Sequence, residues 1–141
     1  MSEYKHNIDS KGRLIIPAKI REQLGENFTI TRGLDGCIYA HPEEEWKEFQ
    51  GNLKKLPIAD PKARRYVRFF TSGSTPCEVD KQGRFLIPQT LRDYAKLKKE
   101  VIISWNIDKA EIWSKERWDE INAFEDMDDI ALDLLEKGYI F

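Results

Sequence analysis

The chain has 141 residues, 40% of them hydrophobic and 34% charged, a length and balance that fit one ordinary globular domain and set aside a disordered chain. No apolar stretch approaches the roughly 18 residues that a membrane span needs. The formal net charge of −2 argues against a nucleic-acid partner only if it is evenly spread, and it is not: residues 1–40 carry +1, 41–60 carry −2, 61–100 carry +6 and 101–141 carry −7.

In chain order, Tyr4, His6 and Ile8 alternate with polar residues and predict a half-buried strand running into a turn at Asp9-Ser10-Lys11-Gly12. Leu14-Ile15-Ile16 predicts a second short strand, so that the two form a hairpin. Pro17 then opens, and Gly25 closes, a short helix over 18–24. Phe28–Arg32 and Cys37–Ala40 read as two more strands joined by Gly33-Leu34-Asp35-Gly36. Pro42 with Glu43, Glu44 and Glu45 starts a helix whose apolar face is Trp46, Phe49, Leu53 and Leu56. Asp60-Pro61 starts another, with Ala63, Tyr66, Val67 and Phe70 on one face and Arg64, Arg65 and Arg68 elsewhere. Residues 115–137 place Trp118, Ile121, Phe124, Met127, Ile130, Ala131 and Leu134 at helical spacing among acids, which predicts one acidic amphipathic helix.

The chain contains itself twice. Residues 9–24 and 80–95 match at a fixed offset, with Asp9/Asp80, Gly12/Gly83, Arg13/Arg84, Ile16/Ile87, Pro17/Pro88 and Arg21/Arg92 identical. Six identities in sixteen positions exceed the roughly one expected by chance. The match continues through Phe28–Arg32 with Val101–Trp105, Ile38-Tyr39 with Ile112-Trp113, and Trp46 with Trp118. The expected organisation is a first repeat with its following helix over 1–50, an inserted basic helical connection over 51–74, a second repeat over 75–114 and the acidic helix over 115–141. A half of about 50 residues buries too little surface alone, so the two are expected to complete one core. The resulting fold class is α+β and β-rich.

The best-matched stretches are loops, Asp9-x-x-x-Arg13 and Asp80-x-x-x-Arg84. Turn geometry alone accounts for Asp9, Gly12, Asp80 and Gly83, which shape the loops. The arginines are less well explained that way, because a surface ion pair contributes at most about 1 kcal/mol. A guanidinium held by a rigid turn can form two parallel hydrogen bonds to phosphate or to the O6 and N7 edge of guanine. Arg13 and Arg84 are therefore the candidate DNA-reading residues, with Lys11, Lys81 and Lys5 as phosphate anchors.

These residues carry a resemblance. Asp9–Pro17, Thr31–Cys37, Arg65–Phe70, Asp80–Arg84 and Glu111–Trp113, in this order, resemble the MraZ family of bacterial transcriptional regulators, which has two tandem AbrB-like (SpoVT–AbrB) modules per chain. The resemblance implies a swapped-hairpin β-barrel built from the two halves. It also implies subunits assembled into a ring, commonly an octamer, and binding to short direct repeats in double-stranded promoter DNA, upstream of the division and cell-wall gene cluster. The paired loops would face the DNA.

Other constellations lead less far. Cys37, Cys77, His6 and His41 fit none of the compact zinc spacings, and no metal site, cofactor or small-molecule ligand is expected. No nucleophile elbow, phosphate loop or paired-carboxylate spacing appears, so catalysis is not expected. The matched Trp46, Trp113 and Trp118 are expected in the core, and Arg64, Arg65 and Arg68 read as a solvated helix face, with contact to DNA or to acids of a neighbouring subunit as the alternatives. Two cysteines and an N-terminus without a basic, apolar leader point to a cytoplasmic protein, and the resemblance implies that it is nucleoid-associated. The rival readings are an AbrB-type or antitoxin-like regulator, a ring-forming scaffold whose arginines bridge subunits, and, more distantly, a small hydrolase using His41.

Overall fold

The computed structural model describes residues 3–141. The first half runs β1 (Glu3–Asn7), β2 (Arg13–Ile15), α1 (Ala18–Leu24), β3 (Asn27–Arg32), β4 (Ile38–Pro42) and α2 (Glu43–Leu53). After α3 (Pro61–Thr71) the order repeats as β5 (Thr75–Glu78), β6 (Arg84–Leu86), α4 (Gln89–Tyr94), β7 (Glu100–Asn106), β8 (Lys109–Ser114) and α5 (Lys115–Ile121), and α6 (Met127–Glu136) follows. Local chemistry sets these boundaries. Gly25, at φ 84°, ends α1 while its N–H bonds the Arg21 carbonyl. The Asp60 carboxylate accepts from the Lys62 N–H at the start of α3, and the Ser114 hydroxyl accepts from the Arg117 N–H at the start of α5.

The architecture is α+β, with six strands in one antiparallel sheet ordered β1-β7-β8-β4-β3-β5 and a separate two-stranded ladder of β2 with β6, and its helices hold more residues than its strands. Exchanging the halves reverses the sheet order and leaves it unchanged. Each half lends its first strand to the other: Tyr4 pairs with Ile103, and Thr75 pairs with Ile30. The large sheet is open, with β1 and β5 at its edges. One core follows from this exchange, since Leu14, Ile20, Ile30 and Ile38 cluster with Phe85, Ile87, Val101 and Ile112, all within 4% of complete burial.

Four expectations change here. The turn after Ile8 closes as predicted, but its flanking strands do not form a hairpin, because β1 finds its ladder partners on β7 and β2 finds its own on β6. Ile38-Tyr39 does not correspond to Ile112-Trp113. Ile30 faces Ala40 across β3–β4, and Ile103 faces Ile112 across β7–β8, so Ala40 corresponds to Ile112 and His41 to Trp113. A two-residue slip keeps every side chain on its own face, which is why periodicity did not reveal it. The C-terminal helix is two helices, interrupted at residues 122–126, where Phe124 takes φ 55°. Of the matched tryptophans only Trp113 is fully buried; Trp46 and Trp118 are half-buried on α2 and α5.

The corrected register pairs two aromatic contacts, His41 with Trp46 at 5.5 Å and Trp113 with Trp118 at 5.7 Å. His41 thus occupies a position that holds an indole in the other half. It is buried, it stacks on Phe49, and its Nε2 has no hydrogen-bond partner among the described residues. Burial, with Lys109 adding to it, pushes its pKa down to about 4. Because the unfolded chain binds this proton near pH 6.5 and the folded chain does not, stability is full above that value and is lost as pH falls towards 4. Between pH 7 and pH 5 the loss is about 2 kcal/mol. Urea unfolding at both values should show that loss in the native chain, and His41→Phe should remove most of it.

Candidate nucleic-acid interface

The two loops are built alike. Asp9 Oδ1 accepts from the N–H groups of Lys11 and Arg13, each at 2.9 Å, and Oδ2 accepts from Arg13 Nε at 2.8 Å. Asp80 Oδ1 accepts from Gln82 and Arg84, each at 2.9 Å, and Oδ2 from Arg84 Nε at 3.0 Å. The Arg13 and Arg84 N–H groups are the main reason that the two carboxyls are held below the usual range, so both stay ionised. Each aspartate therefore uses one oxygen to close the turn and the other to aim a guanidinium. Nε is the nitrogen consumed. Both Nη groups of Arg13 remain unbonded among the described residues, whereas Arg84 Nη2 donates to Gln82 Oε1 at 3.2 Å.

The ladder then sets the arginines side by side. Its register is Arg13 with Leu86, Leu14 with Phe85 and Ile15 with Arg84. Leu14 and Phe85 point into the core, so Arg13, Ile15, Arg84 and Leu86 share the outer face. Arg13 and Arg84 are diagonal neighbours there, a separation of about 7–8 Å in an antiparallel pair. Each loop is also pinned by the opposite strand: Ile87 N–H donates to the Gly12 carbonyl, and Ile16 N–H to the Gly83 carbonyl.

Both glycines need left-handed backbone, at φ 84° for Gly12 and 78° for Gly83. A Cβ on Gly12 would also come within 2.6 Å of the Arg92 guanidinium, whose Nε donates to the Ile87 carbonyl, while at Gly83 the nearest atom is Arg21 Nη1 at 3.4 Å. Gly12→Ala should therefore cost about 2–3 kcal/mol, and Gly83→Ala about 1–2 kcal/mol, in urea unfolding. Equal costs would contradict this asymmetry.

A family model described as "MraZ protein, putative antitoxin-like" matches residues 1–69 and again residues 70–132, one match for each half. The chain belongs to the MraZ family. It is similar along its length to proteins named "Transcriptional regulator MraZ". The protein from Desulforamulus reducens is 53% identical over 140 residues, covering 96% of this chain and 99% of the relative. Those from Lachnoclostridium phytofermentans and Ligilactobacillus salivarius are 50% and 49% identical, covering 100% and 96% of this chain and 99% and 96% of the relatives.

Within this MraZ chain the site residues inferred from sequence do not all converge. Arg13 and Arg84 share one face. Lys11 and Lys81 are both exposed on the loops, but at different turn positions: Lys11 stands where the second loop has Gln82, and Lys81 where the first has Ser10. Lys5 lies on the edge strand β1 and is ion-paired with Glu100 at 2.7 Å, outside both loops. Ile15 and Leu86 were missed. They lie beside the arginines, 48% and 55% exposed, and strict alternation through Leu14-Ile15-Ile16 would have turned Ile15 outward. Arg21 and Arg92 were noticed only as repeat matches, yet each packs against the opposite half's loop glycine.

His41 lies among Tyr39, Trp46 and Phe49 rather than in a cleft. Cys37 and Cys77 are free and buried, and burial raises both thiol pKa values, that of Cys77 to about 12. Among the described residues, no group of three or more His, Cys, Asp and Glu side chains is placed to hold a metal ion, and no helix is long and apolar enough to cross a membrane.

Proposed function

We propose that this chain is a sequence-specific DNA-binding transcriptional regulator, working in the cytoplasm at the nucleoid as a ring-shaped homo-oligomer. Its targets are short direct repeats in promoter DNA, upstream of the division and cell-wall gene cluster. The observation that carries this reading is the outward pair Arg13 and Arg84, each aimed by an aspartate through Nε and left with Nη donors for a base edge or phosphate. Membership of a family whose relatives are named transcriptional regulators supports it. The crossed pairings of β1 with β7 and β5 with β3 support a swapped-hairpin reading of the repeat.

In this reading Ile15 and Leu86 supply apolar contact for thymine methyl groups between the arginines. Lys11 and Lys81 anchor phosphates, and their unequal turn positions make the two halves prefer different bases or spacings. A ring places several such faces in a row, so that individually weak contacts add along repeats about one helical turn apart. Fluorescence anisotropy with labelled DNA carrying three or four upstream repeats tests the proposal. Affinity should exceed that for shuffled DNA by at least about 1,000-fold and fall steeply with salt. Equal affinity for both DNAs would overturn sequence-specific recognition.

A further inference from the structure

Each loop is flanked by the connection that follows the opposite half's short helix, and the two flanks differ in charge. Ile8 N–H donates to the Lys99 carbonyl beside the first loop, and Val79 N–H donates to the Glu26 carbonyl beside the second, so Lys99 and Glu26 hold the same place on the two sides. The arginines next to them differ likewise. Arg21 gives Nε and Nη2 to Glu26, each at 3.0 Å, which leaves the second flank neutral. Arg92 gives Nε to the Ile87 carbonyl, lies against Gly12 and keeps both Nη groups unbonded among the described residues. Lys99 is exposed and meets no carboxylate among the described residues, and its neighbour Glu100 pairs with Lys5 at 2.7 Å. On the second side Glu78 stands exposed where the first half has Asn7. Between the first loop and its flank lies an open cleft of about 500 Å³, lined by Asp9, Ser10, Arg92, Lys98 and Lys99 among others. Asp9 is the one carboxylate on its wall, and both its oxygens are taken by Lys11 and Arg13. Lys98 reaches Glu116 at 3.1 Å, but that pair is mostly in water and an anion displaces it at little cost. Cations with spare N–H donors and no free acid beside them take an oxyanion.

We infer that the cleft of Arg92, Lys98 and Lys99 takes a backbone phosphate of the DNA, and that the second flank, neutralised by Glu26, takes none. Asp9 belongs both to the cleft wall and to the grip on Arg13, so an anion in the cleft lies beside whatever Arg13 holds. Phosphates recur about every 3.4 Å along the axis of one DNA strand, which brings the next ones within reach of a lysine side chain. The β2–β6 ladder repeats its arginine on both sides and by itself fits a site in either direction. A phosphate held on the Arg13 side alone makes each chain face one way along a direct repeat, because phosphate contacts set orientation. The inference rests on the DNA-binding part of the proposed function and deepens it.

Ethylation interference on repeat DNA, in which single phosphates are neutralised, decides it, with fluorescence anisotropy for affinity and circular dichroism confirming that every full-length variant is folded. The native chain should lose binding when phosphates on one flank of each repeat are ethylated. Lys99→Glu should remove that interference, weaken binding to repeat and shuffled DNA alike by about 10-fold, and lower the slope of log affinity against log salt by about 1 for each chain bound. Lys98→Gln/Lys99→Gln, which removes charge without adding repulsion, should shift the pattern and the slope in the same direction. Glu26→Lys should add interference on the opposite flank. A pattern that Lys99→Glu leaves unchanged, or one that is equal on both flanks of the native complex, would overturn the cleft while leaving DNA binding standing. A native chain that does not prefer repeat to shuffled DNA would overturn both.

Discussion

Replacing both loop arginines, as Arg13→Ala/Arg84→Ala, should abolish specific binding to repeat DNA while leaving the circular dichroism spectrum and urea midpoint within about 1 kcal/mol of the native chain. A good bidentate contact contributes about 1–3 kcal/mol of base discrimination, so each single change should weaken binding roughly 5- to 150-fold. The two should differ. Both Nη groups of Arg13 are unbonded among the described residues, whereas Arg84 shares one with Gln82, so Arg13→Ala should be the more damaging. Stability should move little, because both pairs with aspartate are partly exposed and such pairs contribute at most about 1 kcal/mol. Unchanged affinity in the double variant would remove the arginines from the interface.

Phe85→Ala should have the opposite signature, losing fold and binding together. Phe85 is 4% exposed, faces Leu14 across the ladder and packs edge-to-face on Phe28 with ring centres 5.1 Å apart. Truncating such a ring costs about 3–5 kcal/mol, a large part of the 5–15 kcal/mol that holds a domain folded. Urea unfolding should show this loss, and binding at 25 °C should fall with the folded fraction. Phe85→Leu, which fills most of the volume, should restore much of both. A Phe85→Ala chain as stable as the native one would mean that the ladder does not depend on its core face.

What was legible in the sequence was local. Asp, Gly and Arg recur at fixed spacing in both loops because the turn needs an acceptor, a left-handed residue and a side chain for the free carboxylate oxygen, and all three needs are met within five residues. Helix starts at Pro17, Asp60 and Ser114 are equally local, and Asn122 and Asp126 hold the signal for the break between α5 and α6. Strand partners were not legible. Nothing around Tyr4 names Ile103 as its neighbour, and an alternating strand fits a hairpin with β2 as well as a ladder with β7. The outward face of Ile15 was hidden for a related reason: three consecutive apolar residues read as wholly buried until their ladder partner is known.

The exchanged first strands bear on how the molecule comes to be folded. The pairing of Tyr4 with Ile103 spans most of the chain, and β2 gains its ladder partner when β6 arrives. A ribosome emitting the first half therefore releases β1 and β2 before their ladder partners exist, while β3 and β4 can already pair. Contacts of this sequence separation belong to chains that fold in milliseconds to seconds rather than microseconds. Until β7 emerges, the free edge and uncovered apolar residues of the first half are open to chaperones or to another nascent copy. The ladder that carries Arg13 and Arg84 therefore forms only with both halves present, so in the proposed reading a truncated product has no half-strength grip with which to occupy a promoter.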